Sequence, residues 1–194
     1  MDTLLHLSGG LDSVYVAWRW MKDHPDETLL MHHIHLHHPK ENRIEQESDA
    51  VTAVIEWFVD NDMSNFVYEE SWFDYGTLNR KFVKDVRIIS IFTGIILSHY
   101  PGIKNYLRTR HKGETDTPVP MGERMIMRAI RGIGIRGNLN FIYVNIDKTR
   151  KDMKDEMPAD LYKLAHCCRK PVNGKPCRKC HTCRQFLDEG LDPL

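Results

Sequence analysis

Short apolar runs alternate with amphipathic stretches along this chain at intervals of thirty to forty residues. Thr3 to Leu7, Leu29 to Leu36, Phe66 to Glu70, Asn105 to Thr109 and Phe141 to Ile146 read as strands. Asp12 to Met21, Ile44 to Asn61, Val86 to Tyr100 and Glu123 to Gly132 read as helices between them, and Lys148 opens another helical stretch. The second helix carries Ala50, Val51, Val54, Ile55, Phe58 and Val59 on one stripe. Val86 to Tyr100 is apolar nearly all round, which predicts a buried helix. Regular strand–helix alternation predicts an α/β fold, a doubly wound parallel sheet with helices on both faces. With 41% hydrophobic residues there is enough apolar material for its core.

The 194 residues suit one compact domain with a small appendage. Composition shifts near His166, where Cys, Lys, Arg, Gly and Pro take over. Residues 1–165 therefore form the expected α/β domain and 166–194 a segment too short for its own core, which needs a staple. Lys plus Arg and Asp plus Glu are both 27, so no basic excess points to a nucleic acid or a membrane surface. The longest apolar stretch, Ile88 to Leu97, is about half of what spans a bilayer. No signal pattern precedes the first strand, which argues for a cytoplasmic protein.

Ser8-Gly9-Gly10-Leu11-Asp12-Ser13 stands at a strand–turn–helix junction. Ligands of open parallel sheets bind beyond the carboxyl ends of the strands, where helix N-termini offer unpaired N–H groups to anions. Gly9 and Gly10 permit close backbone approach, and Ser8 and Ser13 add hydroxyls. A Walker loop needs a lysine that is missing here, and a dinucleotide fingerprint needs a third glycine. The bland alternative is a simple turn with Asp12 capping the helix.

All five cysteines lie between Cys167 and Cys183, and in a reducing compartment such a cluster favours a metal over disulfides. Cys168, Cys177, Cys180 and Cys183 have the spacing C-x8-C-x2-C-x2-C, which suits a tetrahedral, structural Zn²⁺. An iron–sulfur cluster competes for the same thiols. Cys167 is an alternative to Cys168, and His166 and His181 stand close by in sequence.

SGGLDS resembles the SGGxDS pyrophosphate loop of the N-type ATP pyrophosphatases, which have an adenine-nucleotide α-hydrolase-like fold and adenylate a substrate oxygen. The resemblance implies ATP as substrate, Mg²⁺ with it, and Ser8, Gly9, Gly10, Leu11, Asp12 and Ser13 as its binding residues. It also accounts for the acid, because a carboxylate beside phosphates is favourable once a divalent cation lies between them. Loop and cysteine spacing together resemble the 7-cyano-7-deazaguanine synthases. Asp147-Lys148-Thr149 is similar to that family's Asp-Lys segment, and Gly113-Glu114-Thr115-Asp116 to its Glu-Thr-Asp segment. The family's Pro-Gly-Arg-Asn segment is matched only at Arg87, and its Tyr-Pro-Asp-Cys stretch is replaced by Thr117-Pro118-Val119-Pro120-Met121.

The implied reaction converts 7-carboxy-7-deazaguanine and ammonia to the nitrile through an acyl adenylate and an amide, with release of AMP and pyrophosphate. Asp12, Lys148 and Arg87 are the expected catalytic residues, and Arg87, Glu114 and Asp116 the expected substrate contacts. A homodimer is implied as well. Three other readings stand beside this one: a branch that stops at the amide, a tRNA sulfurtransferase, and a non-catalytic nucleotide-binding module stapled by zinc. In MHHIHLHHP, His33, His35 and His37 alternate with His32, Ile34 and Leu36, so the two sets face opposite sides of a strand. The first set is either a polar sheet edge or a metal site, and His37 or His38 is a candidate contact to adenosine. Trp57, Phe58, Trp72 and Phe73 are candidates for purine stacking or for core packing.

Overall fold

The computed structural model describes residues 1–38, 41–76, 85–112 and 119–194. Its elements are β1 (Thr3–His6), α1 (Leu11–Asp23), β2 (Leu29–His37), α2 (Ile44–Asp60), β3 (Phe66–Asp74), α3 (Asp85–His99), β4 (Asn105–Leu107), α4 (Val119–Gly132), β5 (Asn140–Ile142), α5 (Arg150–Glu156), α6 (Ala159–Leu164) and α7 (His181–Asp188). The strands form one parallel sheet in the order β3-β2-β1-β4-β5. This is the doubly wound parallel architecture that the alternation predicts, and it agrees with the adenine-nucleotide α-hydrolase-like fold that the loop's resemblance implies.

Side-chain alternation along the central strand divides the core. Leu5 and Leu7 join Val14, Tyr15, Val51, Val54 and Phe58 on one face, with α5, α6 and Phe186 of α7 packed into the same cluster. Leu4 and Leu30 point the other way, onto Ile96, Leu97, Ile126 and Ile130 of α3 and α4. Thr3, Leu4 and Leu5 are all fully buried, as a strand covered on both faces must be.

Several boundaries differ from the sequence reading, three of them for a clear local reason. β3 runs four residues past Glu70 because it pairs with the whole of β2, from Leu29↔Phe66 to His37↔Asp74. β5 stops at Ile142, and Asn145 leaves the ladder to bond elsewhere through its side chain. α5 starts at Arg150 rather than Lys148, because Thr149 and Asp152 close a reciprocal capping box. Among the described residues no helix is long and apolar enough to cross a membrane.

Candidate functional site

β1 delivers the chain to the loop at the centre of the sheet. Gly9 adopts φ +74°, and a Cβ there would stand 2.9 Å from the Glu47 carbonyl oxygen of α2. Only glycine fits both demands. Gly10 rather than Asp12 is the N-cap of α1, and Asp12 lies in the first turn. The two serines shape the turn. Ser13 Oγ donates to the Gly10 carbonyl (2.9 Å), accepts from Ser8 N–H (3.1 Å) and lies 3.0 Å from Ser8 Oγ. The first N–H groups of α1 have no carbonyl of their own helix to bond, which gives the loop an anion-accepting rim.

The strand order reverses between β1 and its neighbours β2 and β4, so the loop borders the switch-point crevice. There the structure assembles a group from three separate connections. Asn145, fully buried beyond β5, accepts from Arg110 N–H (2.9 Å) and donates to Asp12 Oδ1 (3.1 Å). The backbone donor fixes the amide's orientation, so its NH₂ must face the carboxylate. His111 Nδ1, beyond β4, stands 3.1 Å from the same Asp12 oxygen. Asp12 is thereby aimed, yet its side chain keeps 28% of its surface exposed toward the crevice.

Lys148 reaches the same edge, where its carbonyl accepts from Lys112 N–H (2.7 Å). Its ammonium pairs with Glu156 of α5, which also accepts from Tyr15 of α1 at 2.5 Å. The Glu156 contact raises the Lys148 pKa, and Lys148 and then Tyr15 hold Glu156 below the usual carboxylate range. Arg87 is exposed in the first turn of α3. Glu114 and Asp116 lie outside the described residues.

On the α2 side of the loop stands a charged cluster that sequence reasoning missed. Arg43, the N-cap of α2, contacts Glu41 (2.8 Å), Glu47 (3.0 Å) and Asp85 (2.8 Å). Burial opposes its charge, but Glu47, Asp85 and Glu41 together raise its pKa above the usual arginine value. Burial pushes the Glu47 carboxyl up to about 7 despite Arg43.

The four cysteines named from spacing converge, with their sulfurs all within 4.8 Å of one another. Among the described residues they are the one cluster of His, Cys, Asp or Glu arranged to hold a metal ion. Backbone N–H groups already point at the sulfurs, from Cys177 to Cys168 (3.1 Å) and from Cys180 to Cys177 (3.2 Å). Although burial works the other way, the N–H groups of Lys179 and Cys180 bring the Cys177 thiol down to about 6. Cys167 stands apart, bonded both ways to Leu194, and burial pushes its thiol up to about 12. This segment also touches the loop, since His166 N–H donates to the Gly9 carbonyl at 2.8 Å. Arg169 approaches Glu41 and Asp85 at 3.7 and 3.6 Å.

The histidine run bonds to neighbouring protein groups, and His32 and His33 are buried in an inner strand rather than lining an open polar edge. His32 Nε2 lies 2.9 Å from Ser71 Oγ, His35 Nδ1 lies 2.7 Å from Ser48 Oγ, and His33 Nδ1 lies 2.8 Å from the Leu7 carbonyl. Burial lowers His32 and His33 to about 4, so both are neutral at pH 7. Of the aromatics, Phe58 is core, Trp57 donates to Asp160 (2.8 Å), Phe73 packs on Tyr75, and Trp72 stacks on His35 with ring centroids 4.5 Å apart.

No protein-family model matches this sequence, and no curated protein matches it. Among solved structures, the U34-tRNA thiolase NcsA from Methanococcus maripaludis, with its [4Fe-4S] cluster, is similar at a TM-score of 0.56 and 13% identity. The match covers 97% of this chain and spans 63% of the thiolase. The NMN synthetase from Francisella tularensis aligns at a TM-score of 0.44 and 13% identity, over 100% of this chain and 79% of its own. The likeness to the thiolase is one of fold, the parallel α/β domain.

Proposed function

We propose that this chain is an ATP pyrophosphatase that adenylates a carboxylate, and that it works as a 7-cyano-7-deazaguanine synthase. The observation that carries the reading is Asp12. A carboxylate buttressed by Asn145 and His111, yet open to the crevice at a helix N-terminus, suits an Mg²⁺-nucleotide better than a bare anion.

In this reading the α1 N-terminus, Ser8 and Ser13 grip the pyrophosphate. Asp12 would hold Mg²⁺, which when bound supplies charge neutralisation at the phosphates. Lys148 exchanges Glu156 for phosphate oxygens when ATP arrives, and Glu156 holds its ammonium at the crevice edge until then. A cleft of about 680 Å³ between His37 and His38 at the end of β2 and Pro171 to Gly174 of the cysteine segment is the candidate seat of the nucleoside. The substrate carboxylate attacks the α-phosphate and pyrophosphate leaves. Ammonia then displaces AMP at the acyl carbon to give the amide. A second ATP adenylates the amide oxygen, and loss of AMP and a proton leaves the nitrile. The protein's part is positioning, charge stabilisation and exclusion of water.

We assign the cysteine site to one structural Zn²⁺. Tetrahedral zinc with Zn–S bonds of about 2.3 Å sets its sulfurs about 3.8 Å apart, inside the 4.8 Å within which the four sulfurs lie. An iron–sulfur cube places an iron between its centre and each thiolate and spreads the sulfurs further. A tRNA-thiolating reading draws on the fold shared with the thiolase and would want such a cluster.

The test is mass spectrometry of products from ATP, Mg²⁺, ammonium and 7-carboxy-7-deazaguanine, with metal analysis of the same protein. Nitrile, AMP and pyrophosphate from a protein holding one zinc per chain are expected, with Asp12→Asn and Lys148→Met each slowed by about a hundredfold. Amide alone would identify a branch that stops halfway. Iron and sulfide in the protein, with no AMP from this acid, would overturn the reading in favour of thiolation.

A further inference from the structure

Beside Ser8, where the loop leaves β1, lies a small cavity of about 70 Å³. His33, Arg43, Glu47 and Asp85 help to line it. His33 is 1% exposed, with Nδ1 2.8 Å from the Leu7 carbonyl. A carbonyl oxygen only accepts, so Nδ1 carries the ring proton and Nε2 presents a lone pair. That Nε2 is buried and has no hydrogen-bond partner. Buried acceptors are nearly always satisfied, and one left open beside a small, largely apolar cavity calls for a small donor.

Size and charge narrow the donor. A water-sized molecule occupies about 30 Å³, so the cavity takes one or two such molecules and no nucleobase. Arg43 is already paired with Glu41, Glu47 and Asp85, and Arg169 lies near Glu41 and Asp85, so these guanidiniums do not call for an anion and a small neutral donor fits best. The neutral state that burial gives His33 keeps Nε2 an acceptor at working pH. The cavity meets the loop at the residue that opens it, beside the place where an acyl adenylate would form.

We propose that this cavity is the binding pocket of the nitrogen nucleophile, with ammonia or ammonium donating an N–H to His33 Nε2. The proposal rests on the amide-forming reading above and gives that reaction a second, separate substrate site. It explains a small chamber beside the loop that ATP is too large to use.

Its test reads binding without turnover. Protein labelled with ¹⁵N in its histidine rings is titrated with ammonium chloride and, separately, with tetramethylammonium chloride, which is too large for the cavity. The His33 Nε2 resonance is expected to move saturably with ammonium and to stay still with tetramethylammonium. Equal movement with both salts, or none with either, would mean a pocket for water alone and would overturn the proposal. His33→Asn keeps a side-chain amide donor for the Leu7 carbonyl and removes the acceptor. In the amidation assay it is expected to raise the KM for ammonium about tenfold, and more than it raises the KM for ATP. An equal rise in both would also count against the pocket. Failure of the wild-type protein to form any amide would sink the amidation reading, and the titration would still decide whether the pocket binds ammonium.

Discussion

The Ser8–Ser13 loop and the Cys168–Cys183 knuckle are neighbours, joined by the His166 N–H on the Gly9 carbonyl. They are held in opposite ways. The loop is closed by its own hydroxyls, floored by the α2 backbone, and flanked by a strand and a helix that are almost wholly buried. The knuckle is exposed along most of its length, from Val172 to Lys175 and again at Arg178 and Lys179, with Val172 showing 60% of its surface. Asn173 and Arg178 take left-handed φ angles of 51° and 57°, which ordinary packing does not demand of them. Close packing shapes the loop, and four converging sulfurs shape the knuckle. On the zinc assignment proposed above, the metal is a folding element for one region and only a neighbour for the other.

Metal removal should therefore give the largest difference between them. Structural zinc contributes on the order of 10 kcal/mol in small domains, and at the proposed site it would go to ordering the knuckle. Chelation, or Cys183→Ser at the most buried ligand, is expected to raise amide exchange across residues 166–194 to near solvent rates. Leu4 and Leu5 of β1 should stay protected. Equal loss of protection in both regions would break the comparison and make the knuckle part of the sheet's own folding unit.

Acid should attack the loop's side instead. His32 and His33 have folded values of about 4, below the ordinary 6.5, because burial disfavours their charge. Their contribution is fully present above pH 6.5 and is lost as pH falls toward 4, by up to about 1.4 kcal/mol per pH unit for each. Glu47, raised to about 7, works in the opposite sense, because its protonated form is favoured in the folded state; it offsets about one histidine between pH 7 and 4.5. Denaturant melts of chelated protein should thus still lose stability between pH 6.5 and 4, and His33→Asn should flatten that slope. An unchanged slope in the variant would show that His33 titrates normally.

What could be read in the sequence follows the same division. The loop and the cysteines were legible because each is set by spacing within a short segment, and a turn or a tetrahedral ion constrains spacing directly. The parallel sheet was legible because alternation of strand and helix leaves few other arrangements. Asn145 was hidden: it reads as one more residue of a fifth strand, and its partner Asp12 is 133 positions away. His111 and the cluster of Arg43, Glu47 and Asp85 share that difficulty, since only the strand order brings β4, β5, α2 and α3 to one edge. Pairing across a sheet also set the end of β3, where Ser71 to Asp74 carry no alternation of their own but follow β2.

Two glycines with nearly the same backbone make the finest test of the comparison. Gly9 in the loop has φ +74° and Gly174 in the knuckle has φ +72°, so alanine meets the same left-handed strain at both, about 1 kcal/mol. Their surroundings differ. A Cβ at Gly174 meets nothing within 4 Å, whereas at Gly9 it meets the Glu47 carbonyl at 2.9 Å and Val51 at 3.2 Å. The carbonyl belongs to a helix backbone packed on the core and cannot swing aside as a flexible side chain would. Gly174→Ala should cost about 1 kcal/mol and leave the metal in place. Gly9→Ala should cost about 1–2 kcal/mol more and weaken ATP binding, because the loop must lift off α2 to admit the methyl group. Equal costs at the two sites would mean that the loop yields as easily as the knuckle, and that close packing does not hold it.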